Sequence, residues 1–167
     1  MTIARWIDRI DAERAELLAL AESLDPGRLR TRPASGGWSV LEVIEHLVIA
    51  EREVIGGLAP AATLRAEPRG LGHRIRYWVV IFVLWSPIRV AVPSPTMVPA
   101  GEKDVAELKR MWDENLAWIR TFAAGVGARN EAVFRHPVSG PMALGHALRM
   151  DLTHVRSHRR QIRRILS

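Results

Sequence analysis

Apolar residues recur at spacings of three, four and seven through the first two dozen positions: Ile3, Trp6, Ile7, Ile10, Leu17, Leu20 and Leu24. Asp, Glu and Arg fill the other positions. That period marks one face of a helix and predicts an amphipathic helix over residues 2–24, closed by Asp25-Pro26-Gly27. After a loop with Pro33, Gly36 and Gly37, Ser39 and Glu42 stand at capping-box spacing. There the Ser hydroxyl takes one orphan N–H of the first turn and the Glu reaches back to another. The helix they open, 39–58, is apolar on most sides and is expected to lie buried between neighbours. Gly56-Gly57 and Pro60 close it. A third stripe, Val105, Leu108, Trp112, Leu116, Ile119 and Phe122, predicts a helix over 104–124, ended by Gly125 and Gly127. A polar loop with His136-Pro137 and Gly140-Pro141 precedes a last helix over 142–166.

Residues 61–103 carry no clear period. Within them Tyr77–Trp85 is an unbroken run of nine apolar residues. Its β-branched and aromatic content fits a strand or a short buried helix equally. Leaving it in water is costly, so it is expected in the core or in a homodimer interface. Pro87, Pro93, Pro95, Pro99 and Gly101 then read as an extended connector. Four long helices and no clear strand predict an all-α fold, a four-helix bundle with a long crossover between helices 2 and 3. Its core should include Trp6, Trp38, Leu47, Trp112, Ile119 and Val155. A length of 167 residues fits one domain spanning 1–167.

Composition narrows the chemistry. The chain is 48% hydrophobic and 25% charged, an ordinary globular balance. It has no cysteine, which removes disulfides, a thiol nucleophile and thiolate metal ligands, so any metal must be held by nitrogen and oxygen. The apolar run is far short of the roughly 20 residues of a membrane span. Charged and polar residues break up the first positions, unlike a secretory signal. A soluble, cytoplasmic protein with no membrane partner is expected. The net charge of +6 is local: Arg149, Arg156, Arg159, Arg160, Arg163 and Arg164 share the last helix with one acid, Asp151. Six arginines on one helix could contact nucleic-acid phosphates. No DNA-binding motif accompanies them, and a solvated face is the simpler reading.

On a wheel of roughly 100° per residue, the last helix separates this Arg face from an apolar stripe. Asp151, His154 and His158 share a third sector beside that stripe. His154 and His158 are four apart, so their Cβ atoms lie about 5–6 Å apart on one side. Two imidazoles so placed can converge on one metal, with bonds of about 2.0–2.1 Å for zinc, or can simply pack at a helix interface. The intervening Val155-Arg156-Ser157 lacks the glutamate base of an H-E-x-x-H metalloprotease. His46, at the edge of the second helix's apolar arc, could add a third nitrogen and leave coordination positions open. Glu42 reads most simply as the capping-box residue and Glu53 as a rim charge. Asp151 could accept an N–H from a ligand histidine or offset the arginines. His73, His136 and His146 lie off this face.

Trp38-Ser39-Val40-Leu41-Glu42-Val43-Ile44-Glu45-His46-Leu47, a Pro-rich crossover around Val98-Pro99, and His154-x-x-x-His158-x-x-Gln161-Ile162 together resemble the DinB-like (YfiT-like) metalloenzymes, of the DinB_2 type. The resemblance runs from the second helix to the C-terminus. It implies an up-down-down-up four-helix bundle with His46, His154 and His158 on a divalent metal ion, zinc or nickel by their affinity for nitrogen ligands. It further implies a small-thiol-dependent S-transferase using bacillithiol or mycothiol on an electrophilic small molecule. The alternatives are a hydrolase activating water at the metal and a non-catalytic protein that binds nucleic acid or a partner through the C-terminal Arg face, or docks a partner or a membrane through Trp78–Trp85. Asp151 or Glu42 would assist proton transfer if either reaches the open site. The apolar run departs from better-defined members of the family.

Overall fold

Four of the predicted helices form, each with a recognisable start. The protein is described by a computed structural model that covers residues 1–34, 36–58, 70–86, 94–126 and 132–167. Thr2 caps α1 (Ile3–Glu22) by accepting the Arg5 N–H. Ser39 and Glu42 form the full capping box of α3 (Val40–Gly56). Asp104 caps α5 (Val105–Gly125), and α6 (Leu144–Leu166) closes the chain. Pro60, Pro87, Pro93 and Gly127, together with residues 61–69, lie outside the described residues.

Three local expectations need correction. Asp25-Pro26-Gly27 does end α1, but it also starts a one-turn helix, α2 (Pro26–Arg30), because the Asp25 carboxylate caps the Gly27 and Arg28 N–H groups. The polar loop before α6 contains a hairpin, β1 (Ala132–His136) paired antiparallel with β2 (Gly140–Ala143). Gly140 turns it with φ +73°, where a Cβ would stand 2.6 Å from His73 Cδ2. The Tyr77–Trp85 run is helical, within α4 (Leu71–Trp85). Only one side of it is buried: Tyr77, Val80, Ile81 and Leu84 pack with Met142, Met150 and Phe134, while Trp78, Val79, Phe82 and Trp85 are exposed. Docking on α6 decides what β-branched composition left open.

Side-chain pairs fix the helix directions. Between α3 and α5 like halves share a cluster, Leu41 and Leu47 with Leu108 and Trp112, then Ile55 with Ile119 and Phe122, so the two run parallel. Between α1 and α5 the partners rise against each other: Asp8 and Asp11 meet Arg120, and Arg14 meets Asp113. Those two are antiparallel. Glu13 pairs with Arg156 and Arg159, and Gly145 lies against Ile3, so α1 and α6 are parallel. The result is the up-down-down-up bundle of α1, α3, α5 and α6. Parallel α3 and α5 oblige the crossover to travel back along the bundle. Glu45, buried on α3, ties down its return by accepting from the Gly101 N–H at 2.7 Å and from Lys103 at 3.0 Å.

The interior holds two main apolar clusters. Leu47, Trp112 and Val155 belong to one and Ile119 to the other, all fully buried, whereas Trp6 and Trp38 pack on the core from its edge. Two arginines of the α6 face are engaged by α1, since Arg156 and Arg159 bind Glu13 and Arg159 also meets Glu16.

Candidate metal centre

Because α3 is packed on almost every side, its histidine cannot face water; His46 is buried. Its ring points across the seam to α6, where the four-residue spacing sets His154 and His158 one above the other. The Nε2 atoms of His46 and His154 are 3.4 Å apart and those of His158 and His154 are 3.0 Å apart. All three residues offer a ligand atom within 4.8 Å of the others. Neighbouring nitrogens around a metal with bonds of about 2.0–2.1 Å stand about 3.0–3.4 Å apart, so the spacing fits a shared ion.

The outer nitrogens orient the rings. His46 Nδ1 lies 2.7 Å from the Met97 carbonyl. A carbonyl only accepts, so Nδ1 carries the proton and Nε2 presents a lone pair inward. His158 Nδ1 lies 2.8 Å from Gln161 Oε1 and is held likewise. The indole of Trp38 covers the rings of His46 and His158, at 4.8 and 6.4 Å between centroids. Burial pushes all three imidazoles toward the neutral form. For His154 burial is reinforced by His158 and His46, and its pKa falls well below the usual range. Burial and His46 carry His158 down to about 4, against the Gln161 hydrogen bond. Burial also lowers His46, opposed by the Met97 carbonyl. Neutral imidazole is the form that ligates a metal. One Nε2 proton on His154 can serve only one neighbour fully, so this cluster of inward lone pairs is completed more simply by a cation than by a proton.

The carboxylates stand elsewhere. Glu42, one turn before His46, accepts the Ser39 N–H at 2.8 Å and Arg32 Nε at 3.0 Å, and its other oxygen meets Arg32 Nη2. Arg32 chiefly, with Ser39, holds its pKa below the usual range despite burial. Asp151, one turn before His154, leaves Oδ2 buried without a partner. Burial raises its pKa, and Arg14 opposes that shift. Among the described residues neither carboxylate is hydrogen-bonded to an imidazole of the triad. Glu53 is exposed. Of the three histidines set aside, His136 accepts the Val138 and Ser139 N–H groups, His146 packs edge-on to Tyr77, and His73 packs on Gly140.

Sequence reasoning missed two contributors. The Met97 carbonyl has no side-chain signature. Gln161 stood in the quoted motif, three residues after His158, and that spacing is the one signal of its orienting role. Also missed was a buried polar group next along the seam. Arg14, 1% exposed, faces Glu51 and Asp151, with its guanidinium 5.0 Å above the Trp112 ring.

A sequence profile of the DinB superfamily matches residues 9–162. Two solved structures share the fold. TT2238, described as a four-helix bundle protein, is 19% identical over 96% of this chain and 98% of its own, with a TM-score of 0.57. YfiT from Bacillus subtilis, described as a probable metal-dependent hydrolase with an unusual four-helix bundle topology, is 18% identical over 98% of this chain and 85% of its own, with a TM-score of 0.58. At such identities the likeness is one of fold. No curated protein matches the chain at a significant level.

Proposed function

This chain belongs to the DinB superfamily, and on that premise we propose that it is a divalent-metal-dependent enzyme acting on small molecules, foremost a small-thiol-dependent S-transferase. The observation that carries the reading is the convergence of three neutral imidazoles from α3 and α6 within 4.8 Å. His46, His154 and His158 would hold the ion, zinc or nickel, and leave part of its coordination open. Such an ion supplies a positive centre that favours the deprotonated form of a small nucleophile. The chain's own groups do the rest. Met97 and Gln161 keep the imidazoles aimed, and Trp38 shields one side from water. Asp151, raised by burial against the opposing pull of Arg14, is the carboxylate that α6 itself offers for proton transfer.

With no cysteine in the chain, a sulfur nucleophile must arrive as cosubstrate. In the transfer the thiol sulfur bonds to the electrophilic carbon, the leaving group departs with its electron pair, and the thiol proton passes to solvent or to Asp151. Hydrolysis is the second reading, favoured by the description of YfiT. One experiment separates them. Protein with its metal content measured is assayed with bacillithiol, mycothiol and glutathione against a halogenated electrophile, and without thiol against model esters and amides, beside His154→Ala. Thiol-dependent turnover lost in the variant supports transfer. Turnover without thiol replaces it by hydrolysis, and equal rates for variant and wild type end both.

A further inference from the structure

The outer side of α4 has no part in the metal centre. On a wheel with Trp78 at zero, Leu71, Ile75, Val79, Phe82 and Trp85 fall with it in an arc of roughly 120°, opposite the side that packs on α6. These six run the whole length of the helix and are exposed; Leu71, Phe82 and Trp85 keep 72%, 60% and 68% of their surface. Leu71, Ile75, Trp78, Val79 and Phe82 with Arg74 line one shallow groove. A continuous apolar stripe of this size marks an interaction surface.

The charges beside the stripe say what would cover it. Arg74 and Arg76 fall at its two edges on the same wheel. From α6, Arg149 lies over the Trp78 ring at 4.5 Å, and Arg160 donates to the Leu84 and Trp85 carbonyls at the C-terminal end. Among the described residues on this side, 70–86 and 132–143 contain no Asp or Glu, and Asp151 on α6 has a buried carboxylate oxygen; Glu67 and Glu131 lie outside the described residues. A second copy seated by the same face would bring the same cationic edges, with no carboxylate among the described residues of that face to meet them. An anionic bilayer surface offers both an apolar layer and negative headgroups. Tryptophan at the middle and at the C-terminal end of an apolar stripe edged by arginine suits a helix lying at that boundary. No described helix is long and apolar enough to cross a membrane, so the contact is with the surface.

We propose that α4 is a membrane-surface helix, with Leu71, Ile75, Trp78, Val79, Phe82 and Trp85 seated among the acyl chains of an anionic lipid leaflet and the flanking arginines among its headgroups. This reverses, for one face, the expectation of no membrane partner, and it stands whether or not the metal centre is catalytic. Its depth would be about 5–10 Å below the headgroups.

The test is sedimentation of the full chain with vesicles of mixed phosphatidylcholine and phosphatidylglycerol, and with vesicles of phosphatidylcholine alone. The wild type should partition into the mixed vesicles, and added salt should weaken the binding. Phe82→Glu, at an exposed position, should reduce partition by about tenfold or more, because the ring's apolar burial is lost. Arg74→Glu with Arg76→Glu should remove the preference for the anionic vesicles while leaving the apolar stripe intact. Circular dichroism of each variant confirms that it is folded, and analytical ultracentrifugation gives the oligomeric state. No partition of the wild type into either vesicle overturns the proposal. So does binding that Phe82→Glu leaves unchanged, or a lipid-indifferent dimer that Phe82→Glu splits.

Discussion

The seam between α3 and α6 contains two polar clusters, and they solve burial in opposite ways. At one level His46 meets His154 and His158. Five residues on along α3 and three back along α6 stand Glu51 and Asp151, with Arg14 reaching in from α1. Because α3 and α6 are antiparallel, both steps lead the same way, about 4–8 Å along the bundle at 1.5 Å per residue. In the imidazole cluster the outer nitrogens of His46 and His158 are hydrogen-bonded and the inner ones converge. In the other, Glu51 Oε1 and Oε2, Asp151 Oδ2, Arg14 Nε and Nη1, and Trp112 Nε1 are all buried without a hydrogen-bond partner. Burial drives both toward neutrality. It lowers the imidazoles, and it raises Glu51, helped by Asp151 and opposed by Arg14. Two buried carboxylates face one guanidinium that also meets Asp113, and protonation of a carboxylate relieves the surplus negative charge. Three converging imidazole nitrogens suit a shared cation. Burial alone therefore does not single out a ligand site; convergence of lone pairs does.

The largest effect should come from the cluster that binds nothing. Arg14→Leu strands two buried carboxylates and should cost about 3–5 kcal/mol in urea unfolding. A loss below about 1 kcal/mol would show that Arg14 does not balance them. His154→Ala should weaken zinc binding by more than about 100-fold in calorimetric titration, since it removes a ligand rather than a ligand's support, which by itself costs 10–100-fold. Gln161→Ala should fall within that smaller range, with stability little changed; an unaltered affinity would deny it the orienting role.

The pH dependence of metal-free stability should divide the two clusters by sign. His158 is depressed in the folded state to about 4, so its contribution is intact above the unfolded value of about 6.5 and is lost as pH falls between the two. Glu51 and Asp151 are raised, so their contribution is intact at acid pH and is lost as pH climbs from the ordinary carboxylate range through their folded values. Glu51→Gln should flatten the alkaline limb and His158→Ala the acid limb. Limbs that respond to the wrong variant would refute the division. Smallest is Glu42→Gln, which keeps a capping amide but weakens the Arg32 pair. It should cost about 0.5–2 kcal/mol or less in thermal unfolding and leave zinc affinity unchanged.

The triad was legible because its residues announce themselves locally. The Ser39–Glu42 capping box fixes the phase of α3 and hence the side from which His46 projects, and the His154–His158 spacing fixes a face of α6. Glu51 left no such mark, since its burial depends on Arg14 of another helix, and Glu53, two residues on, looks no different in sequence. The state of Tyr77–Trp85 depended on whether α6 offers it a partner. The hairpin before α6 was hidden because its turn residues, Pro137 and Gly140, suit a loop equally well.

The Met97 carbonyl that clamps His46 lies 51 residues downstream of it, and His154 lies 108 residues downstream. No fragment of the growing chain short of α6 contains a complete set of donors, and α3 alone leaves the His46 tautomer free. Loop closure over such separations must precede any gain from the contacts. The centre is thus assembled last, after the crossover has returned and α6 has docked. A nascent or truncated chain lacking α6 should present His46 without its two partner imidazoles and with its tautomer unfixed, so chelation is deferred until the fold is finished.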